Sequence, residues 1–308
     1  KEGIILNLTP YFEAGWADRF VPEHMTTVSF AEGNEWGVEP GPYLVPLDAN
    51  NMQFLYNKTL FEQAGITDVP QTFAEMLEAG KTLREAGIQP FVAGFGSWAI
   101  PSMAGMYQWN VVGQENMEKT FMGEMSYDSQ PWIDLLNIFK QMADANFLAD
   151  GILSYDFPAA ESLFVNGQAA IIYDGSWAIG VFNQQNPDFQ DYSVFFPPSL
   201  EGYDNPLYIP GGVGAQLFAV GTSPHKEEAV KFLQWLTDAQ QQAEYANSSF
   251  NLPANVEVVD QVPMSEVLNA FAANMDKVPP TLRATMKAAV ETTMTKGIQR
   301  IIAGEDTP

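Results

Sequence analysis

Two tryptophans stand where a ligand site would be built. Trp98 ends the stretch Gly94-Phe95-Gly96-Ser97-Trp98, directly after the apolar run Pro90-Phe91-Val92-Ala93. Trp177 ends Asp174-Gly175-Ser176-Trp177, after Ala169-Ala170-Ile171-Ile172-Tyr173. Both apolar runs read as buried strands, and ligand sites in open α/β sheets lie beyond the carboxyl ends of strands. No buried helical stripe needs an indole at either place. A flat indole there can pack its π-face on the apolar C–H face of a pyranose ring, while neighbouring Asn, Asp and Glu side chains bond the hydroxyls. The competing reading is that both side chains fill core or interlobe space. With 7 Trp, 11 Tyr and 21 Phe in the chain, composition leaves that reading open.

Covalent and acid–base chemistry has little to work with. Cysteine is absent, which excludes thiol catalysis, disulfides, zinc–thiolate sites and iron–sulfur clusters. The two histidines, His24 and His225, leave little room for a histidine metal cluster or a Ser–His–Asp triad. His225 follows Ser223-Pro224 and reads as an exposed first-turn residue, and His24 after Pro22-Glu23 reads as a surface residue. Neither G-x-S-x-G nor H-E-x-x-H occurs. Gly94-Phe95-Gly96 and Gly211-Gly212-Val213-Gly214 are fragments of glycine-rich phosphate loops that complete no such motif. The 38 Asp+Glu leave a carboxylate pair for glycoside hydrolysis open, but their spacing selects no pair. No catalytic residue, metal ligand or cofactor is therefore assigned.

The charge balance narrows the partners. Against 38 Asp+Glu stand 14 Lys+Arg, a net charge of −24. Such a field repels phosphate backbones and anionic lipid, so no nucleic acid and no membrane surface is expected as partner. It also disfavours a strongly anionic ligand unless basic residues cluster locally. The acidity fits a solvated exterior, or a salty or extracytoplasmic setting. Hydrophobic residues at 46% and charged residues at 17% describe a globular chain, and 308 residues allow about two domains of ~150 residues each. No apolar run reaches the ~18 residues of a membrane span. No signal peptide opens the chain, and Lys1-Glu2-Gly3-Ile4-Ile5-Leu6-Asn7-Leu8 reads as mid-domain sequence, as in a mature secreted form or a fragment.

Helix and strand signals alternate, which argues an α/β fold. Thr9 with Pro10 reads as a helix start, Thr9 as its N-cap. Residues 30–46, rich in Gly and Pro, read as loop. Met52-Gln53-Phe54-Leu55-Tyr56 reads as a strand, and 57–65 as a short helix stopped by Gly65. Thr72-Phe73-Ala74-Glu75 is a capping box opening a helix. Further helices are expected after Pro131, over 157–166, after Ser223-Pro224, over about 264–275 and over about 281–303. Further strands are expected over 192–196 and 215–220.

At this point the motifs carry a resemblance. Val45-Pro46 followed by Tyr56-Asn57-Lys58-Thr59-Leu60-Phe61, with Gly65 behind, resembles the "vP…YNK-x-lF-x-x-x-G" signature of the extracellular solute-binding proteins of carbohydrate ABC importers, the family of the maltodextrin-binding proteins. Phe164-Val165-Asn166-Gly167-Gln168-Ala169-Ala170-Ile171 with Asp174-Gly175-Ser176-Trp177 resembles a second block. Gly211-Gly212, Ser223-Pro224-His225-Lys226-Glu227-Glu228-Ala229 and Phe232-Leu233-Gln234-Trp235-Leu236 resemble a third. Each piece alone is weak. The ordered set covers nearly the whole chain.

The resemblance implies a two-lobe α/β receptor of the type II periplasmic-binding-protein fold, its lobes joined by crossing hinge segments and closing on a ligand between them. The first lobe would hold 1–49 and 215–257, lacking its N-terminal part, and the second 54–208 and 263–308. Crossings are expected near 50–53, 209–214 and 258–262. By position, Trp177 would stack on sugar and Trp98 lies near a second aromatic contact. Asn50 falls at a polar contact of the first crossing, and Gly211 and Gly212 at the second, where backbone can approach ligand. Asp48, Asn51 and Asp174 are the remaining candidates for hydroxyl contacts.

The implied function is capture of a neutral mono- or oligosaccharide for delivery to ABC permease subunits, by a monomer with no enzymatic activity, in the periplasm or lipoprotein-anchored at the cell surface. Two departures from the family pattern stand out. The usual opening strand–helix–strand unit and the usual final helix are not seen, so a trimmed receptor is expected. The stretch Leu282 to Met286 also offers no aromatic where maltodextrin-binding members have one. A glycoside-active enzyme with paired carboxylates, or a receptor of the same fold for a non-sugar ligand, stays open as the alternative.

Overall fold

In the computed structural model the described residues are 3–13, 15–34, 36–258, 264–280 and 282–308. Contacts divide the chain into two units, Lys1–Asn51 with Gly211–Met275 and Met52–Pro210 with Asp276–Pro308. The chain thus passes between units after Asn51, Pro210 and Met275. The crossing expected near 258–262 falls, apart from Val258, outside the described residues. The helix Glu266–Ala272, expected in the second lobe, belongs to the first unit, where the Phe271 carbonyl accepts from Asn51 Nδ2 at 2.8 Å.

The first unit folds around a small aromatic core. Phe12 and Trp16 stack with ring centroids 4.4 Å apart, and Leu8, Phe20, Val45, Val230 and Leu233 close around them. Trp16 meets the usual demand that a buried indole N–H find an acceptor by donating to Thr237 Oγ1 at 2.9 Å. Helix Lys226–Leu236 lays Val230 and Leu233 into this core. The long strand Asp48–Asn57 contributes its first half, pairing antiparallel with Gly211–Val213 and Leu252–Pro253.

In the second unit the strand's other half pairs antiparallel with Ala169–Gly175 on one side and Tyr192–Phe195 on the other. Gln89–Val92 runs parallel to Ala169–Gly175 at the far side, with Gln89 opposite Ala169 and Val92 opposite Ile172. Every residue of Ala169–Gly175 is buried, as a strand covered on both faces requires. Phe54, Phe91, Tyr173, Phe139 and Tyr107 are among the fully buried side chains of this core. Because the two strands are parallel, their carboxyl ends open on one edge of the sheet. Trp98 and Trp177 follow those two ends.

Several local expectations hold. Thr72 Oγ1 accepts from Glu75 N–H at 3.1 Å while Glu75 Oε2 accepts from Thr72 N–H at 3.2 Å, the reciprocal capping box. Asn57 caps Lys58–Gln63 by accepting from Leu60 N–H at 3.0 Å. Others shift. Thr9 is inside its helix and Leu8 is the N-cap; the side chain serving that turn is Asn7, whose Oδ1 accepts from Thr9 N–H at 3.0 Å and Oγ1 at 2.7 Å. The last helix begins at Ala288 and not near 281; ahead of it, Arg283 N–H donates to Glu118 Oε1 at 3.4 Å. His24 is buried in Pro22–Thr27, while His225 is exposed as expected. No helix among the described residues is long and apolar enough to cross a membrane.

Candidate functional site

The second unit carries three of the eight expected site residues on one sheet edge. Trp98 caps helix Ala99–Val111, and Trp177 caps Ala178–Gln185. Their ring centroids lie 6.1 Å apart at an interplanar angle of 47°. Phe157 backs Trp98 at 4.3 Å and 33°, which leaves that indole 48% exposed. Trp177 is half-buried over Gly175, where no Cβ would fit beneath its six-membered ring. Neither indole is swallowed by the core, as the space-filling reading requires. The pair can offer a tilted apolar surface to a ring with axial C–H groups.

Asp174, beneath this pair, is fully buried. Its Oδ1 accepts from Gly175 N–H at 2.7 Å. Its Oδ2 has no donor among the fixed hydrogens around it. Burial first, then the nearby Glu161 carboxyl, push its pKa well above the usual carboxylate range, against the Gly175 N–H and the Trp177 side chain, which favour the charge. Glu161 is itself buried, its pKa raised chiefly by that burial. Asp174 is bonded to the Gly175 backbone and wholly buried, which makes a direct hydroxyl contact a poor use of it.

In the first unit, Asp48 is likewise committed. Oδ1 accepts from Ala215 N–H at 2.6 Å, and Oδ2 from Tyr245 Oη at 2.6 Å and Asn251 Nδ2 at 3.1 Å. Burial nevertheless raises its pKa, and the burial and carboxylate push Tyr245 up to about 12. Asn51 is buried, its amide donating to the Phe271 carbonyl and lying 3.1 Å from Met275 Sδ. Asn50 is half-buried and pairs with Gly212, and Gly211 is exposed. Gly212 has φ +114°, a conformation L side chains rarely adopt, and a Cβ on Gly211 would meet the Asn50 carbonyl at 2.6 Å. Both glycines are required by the pairing itself. Of the five candidates here, Asn50, Gly211 and Gly212 are the ones that reach the surface, while Asp48 and Asn51 are buried.

Glu161, Gly175, Tyr245 and Asn251 were not singled out from the sequence. Glu161 had a signal: it stands four after Phe157 and three before Phe164, on the stripe that helix Phe157–Val165 buries. Among the described residues no group of three or more His, Asp or Glu could hold a metal ion.

The sequence matches the model of the bacterial extracellular solute-binding protein family over residues 1–243. It is 28% identical over 219 residues to the multiple sugar-binding protein of Streptococcus mutans, covering 69% of this chain and 51% of that one. The chain spans about half the length of the curated relatives it matches. Among solved structures, one from work on xylan utilisation by Caldanaerobius polysaccharolyticus superposes with TM-score 0.83 at 22% identity, covering 99% of this chain and 78% of that one. Maltose-bound MalE3 of T. maritima superposes with TM-score 0.78 at 21% identity, covering 99% and 76%. These likenesses give the fold, that of the two-lobe α/β solute receptors.

Proposed function

The chain belongs to the bacterial extracellular solute-binding protein family, and from that premise we propose that it captures a neutral carbohydrate by stacking a sugar ring on Trp98 and Trp177. The extracellular character of the family supports a location outside the cytoplasm, and the protein would act in the periplasm or lipid-anchored at the surface. It delivers its ligand unaltered to the permease subunits of an ABC-type importer and acts as a monomer. The observation that carries this reading is the indole pair 6.1 Å apart, set just past the ends of two parallel strands, with Trp98 half exposed. The names of the multiple sugar-binding relative and of the maltose-bound neighbour support the ligand class. On the first unit, Asn50 and the Gly211–Gly212 backbone are further candidates for polar contacts.

A glycosidase would need two carboxylates about 5–9.5 Å apart with the scissile bond between them. The carboxyls nearest the indoles among the described residues, Glu161 and Asp174, are both buried, out of reach of a scissile bond in solvent. Calorimetry across neutral sugars, amino acids and glycerophosphodiesters tests the reading. A chromogenic glycoside incubated with the protein should stay intact.

A further inference from the structure

The turn that carries Trp98 is pressed against residues 153–157 at two points. Gly96 N–H donates to the Tyr155 carbonyl at 2.7 Å, and a Cβ on Gly96 would lie 2.9 Å from that oxygen. A Cβ on Gly94 would lie 2.7 Å from Phe157 Cδ2 and 2.9 Å from the Phe157 backbone nitrogen. Neither glycine has a positive φ, so both serve close approach and not an unusual dihedral. The Gly94 carbonyl closes the turn by accepting from Ser97 N–H at 3.0 Å and Ala99 N–H at 3.3 Å. The backbone beneath Trp98 is thereby held by contact and by hydrogen bonds.

The indole needs a separate restraint. It is 48% exposed, and a side chain free to rotate loses that freedom when a ligand docks on it. Phe157 meets it in near-stacked contact, with centroids 4.3 Å apart at 33°, whereas Trp177 stands 6.1 Å away at 47°. Phe157 is itself fixed. It is 8% exposed and opens helix Phe157–Val165, whose N-cap Asp156 accepts from Ala159 N–H at 3.0 Å.

We infer that Phe157 is a positioning residue for sugar capture: it sets the plane of the Trp98 indole and covers one face, leaving the opposite face for a ligand. It acts through Trp98 and touches no ligand. The inference rests on the stacking role proposed for Trp98, but its spectroscopic consequences need no sugar. A phenylalanine that only fills the core could be exchanged for an aliphatic side chain of similar bulk. A wall that orients an indole must be flat, so an aromatic replacement should serve and an aliphatic one should not.

The test is a double-mutant cycle between Phe157→Leu and Trp98→Ala, with Phe157→Tyr as the conservative rescue, read by titration calorimetry with neutral sugars and by aromatic circular dichroism. Phe157→Leu should weaken sugar binding about tenfold when Trp98 is present, the scale of ordering one freed side chain. It should cost nothing further in the Trp98→Ala background. Phe157→Tyr should keep both the affinity and the aromatic spectrum of the unaltered protein. The dichroism that Trp98 contributes, taken as the difference from Trp98→Ala, should collapse in Phe157→Leu while the far-ultraviolet spectrum stays native. An equal loss of affinity with and without Trp98, or an unchanged Trp98 difference spectrum in Phe157→Leu, overturns the inference. If Phe157→Leu does not fold, Phe157→Met, which fills gaps flexibly but offers no flat face, is judged by the same criteria. Should no sugar bind the unaltered protein, the stacking role fails while the difference spectra still decide the positioning role.

Discussion

Gly175 lies under the six-membered ring of Trp177, so close that a methyl group at Gly175 would fall inside the van der Waals envelope of the indole. Its backbone is not in the left-handed region, so the glycine is there for space and not for its dihedral freedom. Gly175→Ala should therefore leave the strand Ala169–Gly175 paired while lifting the indole. The expected outcome is an altered aromatic dichroism, native far-ultraviolet dichroism and a loss of sugar affinity of about 1.5–3 kcal/mol, the range of a misplaced aromatic anchor. Titration calorimetry beside the two spectra checks it, and unchanged affinity with an unchanged spectrum would count against the ring's position.

Gly212 makes the opposite case. Nothing lies within 4 Å of a Cβ built there, but its φ is +114°. Gly212→Ala should cost about 1–3 kcal/mol through backbone strain alone. Gly211→Ala should cost at least as much through collision with the Asn50 carbonyl and Asn51 Cα, and should break the pairing of Gly211–Val213 with Asp48–Asn57. Urea unfolding of both variants separates strain from collision, because only the Gly211 change should disturb the strand's amide protection in hydrogen exchange.

The Asp48 cluster is a stability device. Removing the carboxylate with Asp48→Ala strands the Ala215 N–H, the Tyr245 hydroxyl and the Asn251 amide, all within 3.1 Å of it. The expected loss is about 3 kcal/mol or more, against about 1 kcal/mol for Tyr245→Phe, which removes one donor and leaves the acceptor two others. Chemical denaturation of the two variants checks the ratio.

The pH dependence of stability has a definite sign. Asp174 holds its proton in the fold far above the point at which the unfolded chain, near pH 4, gives it up. Below that point both states are protonated and nothing is lost. As pH rises from about 4 toward the raised native pKa, the unfolded state binds fewer protons than the fold, so stability falls across that window. Asp174→Asn removes this slope. Its Tm should gain on that of the unaltered protein from about pH 4 to pH 7, by about 2–4 °C for each kcal/mol. Differential scanning calorimetry at a series of pH values measures it, and a constant gap between the two proteins would contradict the native protonation of Asp174.

Much of this architecture could be read from residues. Thr72 and Glu75 gave a helix start because a capping box is local chemistry, and Ala169 to Tyr173 gave a buried strand because only a covered strand is apolar at every position. Trp98 and Trp177 could be placed at strand ends for the same reason. What stayed hidden was long-range. Nothing local says that Asp48 will meet Tyr245 and Asn251 about two hundred positions away, so Asp48 looked like a free acid. Asp174 looked free because the acid that raises its pKa after burial, Glu161, lies on another element. The helix Glu266–Ala272 was assigned to the wrong company because the bond from Asn51 to the Phe271 carbonyl, not its own sequence, ties it to the first unit. Local rules locate elements, whereas the commitments of buried polar groups are settled by the packing between elements.

The central claim is that an indole face holds a polyhydroxylated ring. Calorimetric titration of the unaltered protein, Trp177→Ala and Trp98→Ala with a panel of neutral sugars tests it most directly. The account predicts one sugar bound by the unaltered protein, about 30-fold weaker with Trp177→Ala, or about 2 kcal/mol, and weakened by a smaller factor with Trp98→Ala. Binding of an amino acid or a glycerophosphodiester with no sugar bound, or sugar affinity untouched by Trp177→Ala, would contradict it.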